Sequence, residues 1–140
     1  MTDLDLAQRG SYTYFEAEKI RFSDTDMIGH VNNVAFAALL ESGRTAFAHA
    51  HTFPHMPAGI VVVMARVEID YRRELHWPAT VDIGSRITRI GTKSYEIGQG
   101  IFLRDKCVTT GRTTLVMIDR TTRKSVVLPD DFRTTLAALM

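Results

Sequence analysis

Asp24-Thr25-Asp26-Met27-Ile28-Gly29-His30-Val31-Asn32-Asn33 is the stretch on which the reading of this chain turns. It follows a strand-like run over 14–22 and leads directly into an apolar helical pattern over 34–50. Packing alone has no use for two carboxylates, a histidine and two amides gathered around a glycine. A helix N-terminus just after an acid does have a use. Its free backbone N–H groups favour developing negative charge, which suits a carboxylate working against a polarised carbonyl.

Reading outward, Phe36, Leu39, Leu40, Gly43, Phe47 and Ala50 fall at offsets of three, four, seven, eleven and fourteen and form one helical face. Asn32 or Asn33 supplies a cap, and Pro54 and Pro57 stop any continuation. Gly43 costs a helix about 1 kcal/mol relative to Ala, so its presence points to a close backbone approach. Four alternating runs follow. Ile60–Tyr71 sets Val63, Ala65, Val67, Ile69 and Tyr71 on one face and Met64, Arg66, Glu68 and Asp70 on the other. After a Trp77-Pro78 turn, Thr80–Ile90 groups Val81, Ile83, Ser85 and Ile87; after Gly91-Thr92-Lys93, Ser94–Leu103 groups Tyr95, Ile97, Ile101 and Leu103. Asp105-Lys106 turns into a last strand over 107–119. A polar turn over 119–124, an extended piece over 126–128 and a short helix opened by Pro129 end the chain.

Strand, long helix, four long strands and short helix predict an α+β fold, a curled antiparallel sheet wrapped around one long central helix. The 140 residues contain no repeat or linker, so residues 1–140 are read as a single domain. The outer face and edges of such a sheet need a partner, which predicts a dimer. With 17 Lys and Arg against 16 Asp and Glu there is no basic field for nucleic acid. The start carries Asp3 and Asp5 without a basic head or apolar stretch, and no run reaches the ~20 residues of a membrane span. Cys107 is the one cysteine, which rules out an internal disulfide and fits a reducing compartment. A cytoplasmic location is expected.

Arg21-Phe22, Asp24-Thr25-Asp26, Gly29 and His30-Val31-Asn32-Asn33 together match a known pattern. So do Leu40-Glu41-Ser42-Gly43-Arg44, Gly91-Thr92-Lys93-Ser94-Tyr95 and Leu128-Pro129-Asp130-Asp131-Phe132-Arg133. The chain resembles the hotdog-fold acyl-CoA thioesterases, in particular the 4-hydroxybenzoyl-CoA thioesterase-like family, over nearly its whole length. The resemblance implies hydrolysis of acyl-CoA, with Asp26 as the catalytic carboxylate and the backbone N–H of Asn33 polarising the thioester carbonyl. It places Arg89 and Lys93 in the region that meets the CoA phosphates. The His-Val-Asn-Asn sequence points to fatty acyl rather than aromatic thioesters, and acyl-carrier-protein thioesters are an allied substrate. CoA is part of the substrate and no cofactor is implied. A homodimer or homotetramer is the assembly expected.

The chemistry fits those residues. An aspartate of ordinary pKa ~3.9 is ionised at neutral pH, ready to attack the carbonyl or to activate a water. A thiol leaving group of pKa ~8.5 departs without a strong acid. Read without the family, Asp24 and Asp26 equally well form Asx turns before a helix. A calcium loop fails, because Ile28 and Ala35 stand where oxygen ligands are required. His30 either orients water or substrate or fastens the loop. Glu41 either orients water or lies buried beside Arg44. His49, His51 and His55 lack the partners of a metal site, and none is expected. Cys107 reads as inert packing. Arg72, Arg73 and the other turn-proximal cations read as solvated charges. Phe36, Leu39, Leu40, Val63 and Met64 line an acyl channel or simply pack. Two rivals stand beside hydrolysis. One is an enoyl-thioester hydratase or dehydratase, whose acid and histidine commonly have four residues between them where Asp26 and His30 have three. The other is a non-catalytic acyl-CoA sensor.

Overall fold

A computed structural model describes residues 4–140; Asp3, part of the acidic start, lies outside the described residues. The elements are β1 (Tyr14–Lys19), α1 (Asn33–His51), β2 (Ile60–Tyr71), β3 (Thr80–Ile90), β4 (Ser94–Leu103), β5 (Lys106–Asp119) and α2 (Asp130–Ala137). The five strands form one antiparallel sheet in the order β1-β3-β4-β5-β2, so β1 and β2 are its edges. None of the described helices is long and apolar enough to cross a membrane.

α1 starts where Asn32 accepts the Ala35 amide at 2.8 Å, an N-cap that satisfies one of the first-turn donors. Its buried face carries Ala35, Phe36, Leu39, Leu40, Gly43, Phe47 and Ala48. Each large apolar side chain removed from water there contributes about 1.5–3 kcal/mol. Gly43 is the expected close approach: a Cβ at this position would lie 2.4 Å from Ile83 Cγ2.

The core beneath α1 has two parts. Phe36, Leu39 and Leu40 pack with Ile20, Leu75, Val81, Ile83 and Ile101, whereas Phe47 packs with Ile87, Tyr95, Ile97, Met117 and α2's Phe132 and Leu136. A polar belt runs between them. Gln99 Nε2 donates to the Leu40 carbonyl and Ser85 Oγ, both at 3.0 Å, and Arg44 Nη1 donates to Gln99 Oε1 at 3.3 Å and Thr113 Oγ1 at 3.2 Å. On the sheet's other face the N-terminal segment lies across β3 and β4. Leu6 and Tyr12 rest on Gly84, Gly98 and Gly100, where added Cβ atoms would meet them at 2.5–2.9 Å. The Tyr12 hydroxyl donates to the Leu6 carbonyl at 2.6 Å, closing this strap on itself.

Two readings of the strands need correction. The bounds of β2 are as expected, but its alternation is not. The register shifts between Met64 and Arg66, so Ile60 and Val62 reach one core cluster and Ile69 the other. A bulge inserts one residue and switches every side chain beyond it to the opposite face. Val63, Met64 and Val67 are exposed, because β2 is an edge strand whose middle is left uncovered on both faces. β1 stops at Lys19 rather than at residue 22, because Arg21 and Asp24 fold the chain into a 3-10 turn over Phe22–Asp24.

Candidate active site

The loop joining β1 to α1 separates its two aspartates by burial. Asp24 is 6% exposed; its oxygens accept the Arg21 amide at 2.8 Å and the Arg21 guanidinium at 2.9 Å. Burial alone would raise its pKa, but the charge and hydrogen bonds of Arg21 outweigh that and hold it below the ordinary carboxylate value. Its carbonyl takes the Asn32 amide at 2.9 Å and the Asn32 side chain at 3.0 Å. Asp24 therefore ties the loop to the helix cap. A bridge between Thr25 and Val31 continues that closure.

Asp26 sits at the base of the tip that follows. Its amide donates to the His30 carbonyl at 2.9 Å, and its carbonyl accepts from Gly29 at 3.0 Å. Gly29 has φ 85°, a left-handed conformation that glycine adopts without strain. One carboxylate oxygen, Oδ1, accepts the amides of Ile28 at 3.0 Å and His30 at 3.3 Å. The other, Oδ2, has no partner among the described residues. Asp26 is thus an Asx-turn residue with one oxygen to spare, oriented by its own loop. It is exposed in the single chain. Met27, Ile28 and Val34 around it are exposed at 101%, 77% and 71%, a concentration of apolar surface that marks a covered or ligand-facing region.

Asn33 is the first residue of α1. The amides of Asn33 and Val34 have no acceptor among the described residues, as first-turn amides do unless something external supplies one. Beside them a pocket of about 380 Å³ is lined by His30, Asn33, Phe36, Tyr71, Arg72, Arg73 and Glu74. The Tyr71 ring packs on Phe36 with centroids 5.6 Å apart. His30 pairs with His76 through an antiparallel bridge, their rings at 4.8 Å, and His30 Nε2 lies 3.4 Å from Glu74 Oε2.

The structure brings Asp26, His30 and Asn33 to one end of α1 but leaves the other expected residues elsewhere. Glu41 is exposed, so the buried-carboxylate reading fails. It lines a different groove of about 800 Å³ between α1 and β1, with Tyr14, Glu16 and His49. Arg44 turns inward without it; burial, only partly offset by Glu41, lowers the Arg44 pKa. Arg89 and Lys93 are exposed at the far end of β3. The eleven residues of that strand put them about 33 Å from the end that meets the loop. Cys107 is buried with its thiol toward the Thr109 carbonyl at 3.3 Å, and burial raises its pKa. His51 packs against Tyr14 and Phe47 at 5.1 and 5.3 Å. Arg72 and Arg73, read as solvated charges, are exposed and also line the pocket at the helix start. Their adjacency at a strand end was the available signal; nothing in sequence tied Glu74 and His76 to His30.

A curled antiparallel sheet around one long helix, with an acid-bearing loop at the start of that helix, defines the chain's class as a hotdog-fold thioester hydrolase. The chain belongs to the Thioesterase-like superfamily, whose family model matches residues 20–136. It is 29% identical over 126 residues to the long-chain acyl-CoA thioesterase FadM of Escherichia coli (strain K12), covering 87% of this chain and 96% of FadM. Among solved structures, the PA5185 protein of Pseudomonas aeruginosa superposes with a TM-score of 0.84 over 96% of both chains at 24% identity, a likeness of fold. A predicted thioesterase from Bacillus stearothermophilus superposes with a TM-score of 0.79 at 26% identity, over 91% of this chain and 96% of that one.

Proposed function

We propose that this thioesterase hydrolyses acyl-CoA, with fatty acyl chains as its first substrates, to the free acid and CoA. The observation that carries the proposal is Asp26: one carboxylate oxygen is fixed by the Ile28 and His30 amides, and the other is free beside a helix start with unpaired amides. Asp26 attacks the thioester carbonyl or takes a proton from an attacking water. The carbonyl oxygen gathers negative charge and is held by the Asn33 N–H, helped by the helix dipole. The C–S bond then breaks and CoA leaves as a thiolate. Where water attacked, the free acid is already formed; where Asp26 attacked, water hydrolyses the resulting acyl–Asp26 anhydride to release the acid and restore the carboxylate. His30 orients water or the carbonyl, and Glu41, exposed in its own groove, is left to orient a water where the second copy adjoins.

The substrate class draws support from the family and from the likeness to FadM. The site is completed by a second copy. β2 is an open edge on which Val63, Met64 and Val67 are exposed at 38%, 51% and 44%, and antiparallel pairing with another β2 would cover them. The same two-fold would set the second copy's Arg89–Lys93 turn toward Arg72, Arg73 and the helix start, gathering cations for the CoA phosphates. Acyl-carrier-protein thioesters present the same reacting group. A single buried thiol suits a reducing cytoplasm.

The test is thiol release over a panel of acyl-CoAs of increasing chain length, with Asp26→Ala in parallel. Hydrolysis by the parent and its loss in the variant are the expected result. Tight acyl-CoA binding without thiol release would make the protein a sensor, and full activity of Asp26→Ala would remove Asp26 from the mechanism.

A further inference from the structure

The geometry points to a binding site for a divalent metal of the zinc class, formed by His30, Glu74 and His76 at the mouth of the helix-start pocket. No spacing in sequence suggests it, because Glu74 and His76 lie more than forty residues beyond His30. The fold makes the connection. His30 and His76 face each other across an antiparallel bridge, and the Val31 amide donates to the Leu75 carbonyl at 2.7 Å, which fixes that register. Residues opposed in this way project from the same face, so the two imidazoles are held together by backbone and not by chance rotamers.

Glu74 Oε2 lies 3.4 Å from His30 Nε2 and 3.6 Å from His76 Nε2. All three donor atoms fall within 4.8 Å of one another. Zinc–ligand bonds of about 2.0–2.1 Å in a tetrahedron set neighbouring ligands roughly 3.3–3.4 Å apart. The His30–Glu74 separation already meets that spacing, His76–Glu74 is 0.2 Å longer, and side-chain rotations would bring all three donors onto one ion. Two imidazoles and one carboxylate with a fourth position left to water are a donor set for zinc and for cobalt. Hard cations that prefer all-oxygen shells are disfavoured.

Local charge sets the strength. Arg72 and Arg73 share the pocket and oppose a cation, while Glu74 supplies one neutralising charge. The Glu74 and His76 side chains are 67% and 58% exposed, so water competes for them. The affinity expected is micromolar, far below that of a closed structural zinc site.

The experiment uses the full chain without a histidine tag, stripped of metal and titrated with Co²⁺ and then Zn²⁺. One Co²⁺ per chain is expected, with the visible absorption of four-coordinate cobalt, displaced by Zn²⁺. His76→Ala and Glu74→Gln are expected to weaken binding at least about tenfold, with the melting temperature of the metal-free protein unchanged. Absence of saturable binding at about 100 µM metal, or an unchanged affinity in both variants, would overturn the proposal. A second readout rests on the acyl-CoA thioesterase reading: Zn²⁺ is expected to slow thiol release by occupying His30, chelation to restore it, and His76→Ala to resist it. If cobalt binds as expected and no thioester is hydrolysed, the metal site stands and the hydrolysis reading falls. If hydrolysis proceeds and no metal binds, the reverse holds.

Discussion

Replacing Asn33 with proline removes the one backbone N–H assigned to the oxyanion and leaves almost everything else in place. Proline is well tolerated at the first position of a helix, where its missing N–H is an orphan anyway. Asn33 occupies that position, and its amide has no acceptor among the described residues, so no internal hydrogen bond is lost. A proline also forces the residue before it into extended conformation. Asn32 already has φ −78° and ψ 163°. The folding cost is therefore expected to be under about 1 kcal/mol, with proline's stiffening of the unfolded chain partly offsetting any loss. The chemical cost is different. Loss of an oxyanion donor lowers turnover by about 10²–10³, or roughly 3–4 kcal/mol of transition-state stabilisation. Steady-state thiol release should show that fall in kcat with little change in KM, while Asn33→Ala, which keeps the amide, stays within about threefold of the parent. A folded Asn33→Pro enzyme with parental kcat would refute the assignment of the helix start as the oxyanion site.

Asp26→Asn keeps an oxygen for the Ile28 and His30 amides, so melting should be unchanged while kcat falls about 10²–10⁴-fold; a rate within threefold of the parent counts against the acid. Asp24 has a depressed folded pKa, so its stabilising contribution is full above about pH 4 and disappears as pH falls through the folded value. Urea melts across pH 2–5 should show an acid limb that Asp24→Asn flattens. Gly43→Ala gains about 1 kcal/mol of helix propensity but drives a methyl to 2.4 Å from Ile83, and overpacking of that kind costs about 1–3 kcal/mol. Denaturant unfolding should find the variant less stable. The double substitution Val63→Lys, Val67→Lys on the open edge should shift sedimentation from dimer to monomer and lower activity with it.

What the sequence disclosed depended on how local the information was. β3 and β4 follow the strand bounds expected, because both lie in the sheet's interior and are closed by turn residues at either end. β2 has equally clear ends, yet one alternation was carried straight through Ala65, since a bulge leaves no mark in an apolar run such as Val61-Val62-Val63-Met64-Ala65. The acidic loop was readable because its parts are contiguous and its closing bonds span only a few residues. Glu41 was not, because whether it faces solvent or core depends on how α1 is rotated about its axis, and Gly43 against Ile83 fixes that rotation from a distance. Arg72, Arg73, Glu74 and His76 join the site through strand pairing alone, which composition and spacing do not encode.

The N-terminal strap has a practical side. Three glycines leave the middle of β3 and β4 without side chains, and Leu6 and Tyr12 are the side chains that fill that hollow. A version trimmed back to the start of β1 would bare a greasy trough with backbone for a floor, open to any passing chain. Such a shortened protein is expected to clump or precipitate even though every catalytic group survives. Tags and fusions that need a clean junction are therefore better carried beyond α2 than spliced into the first dozen residues.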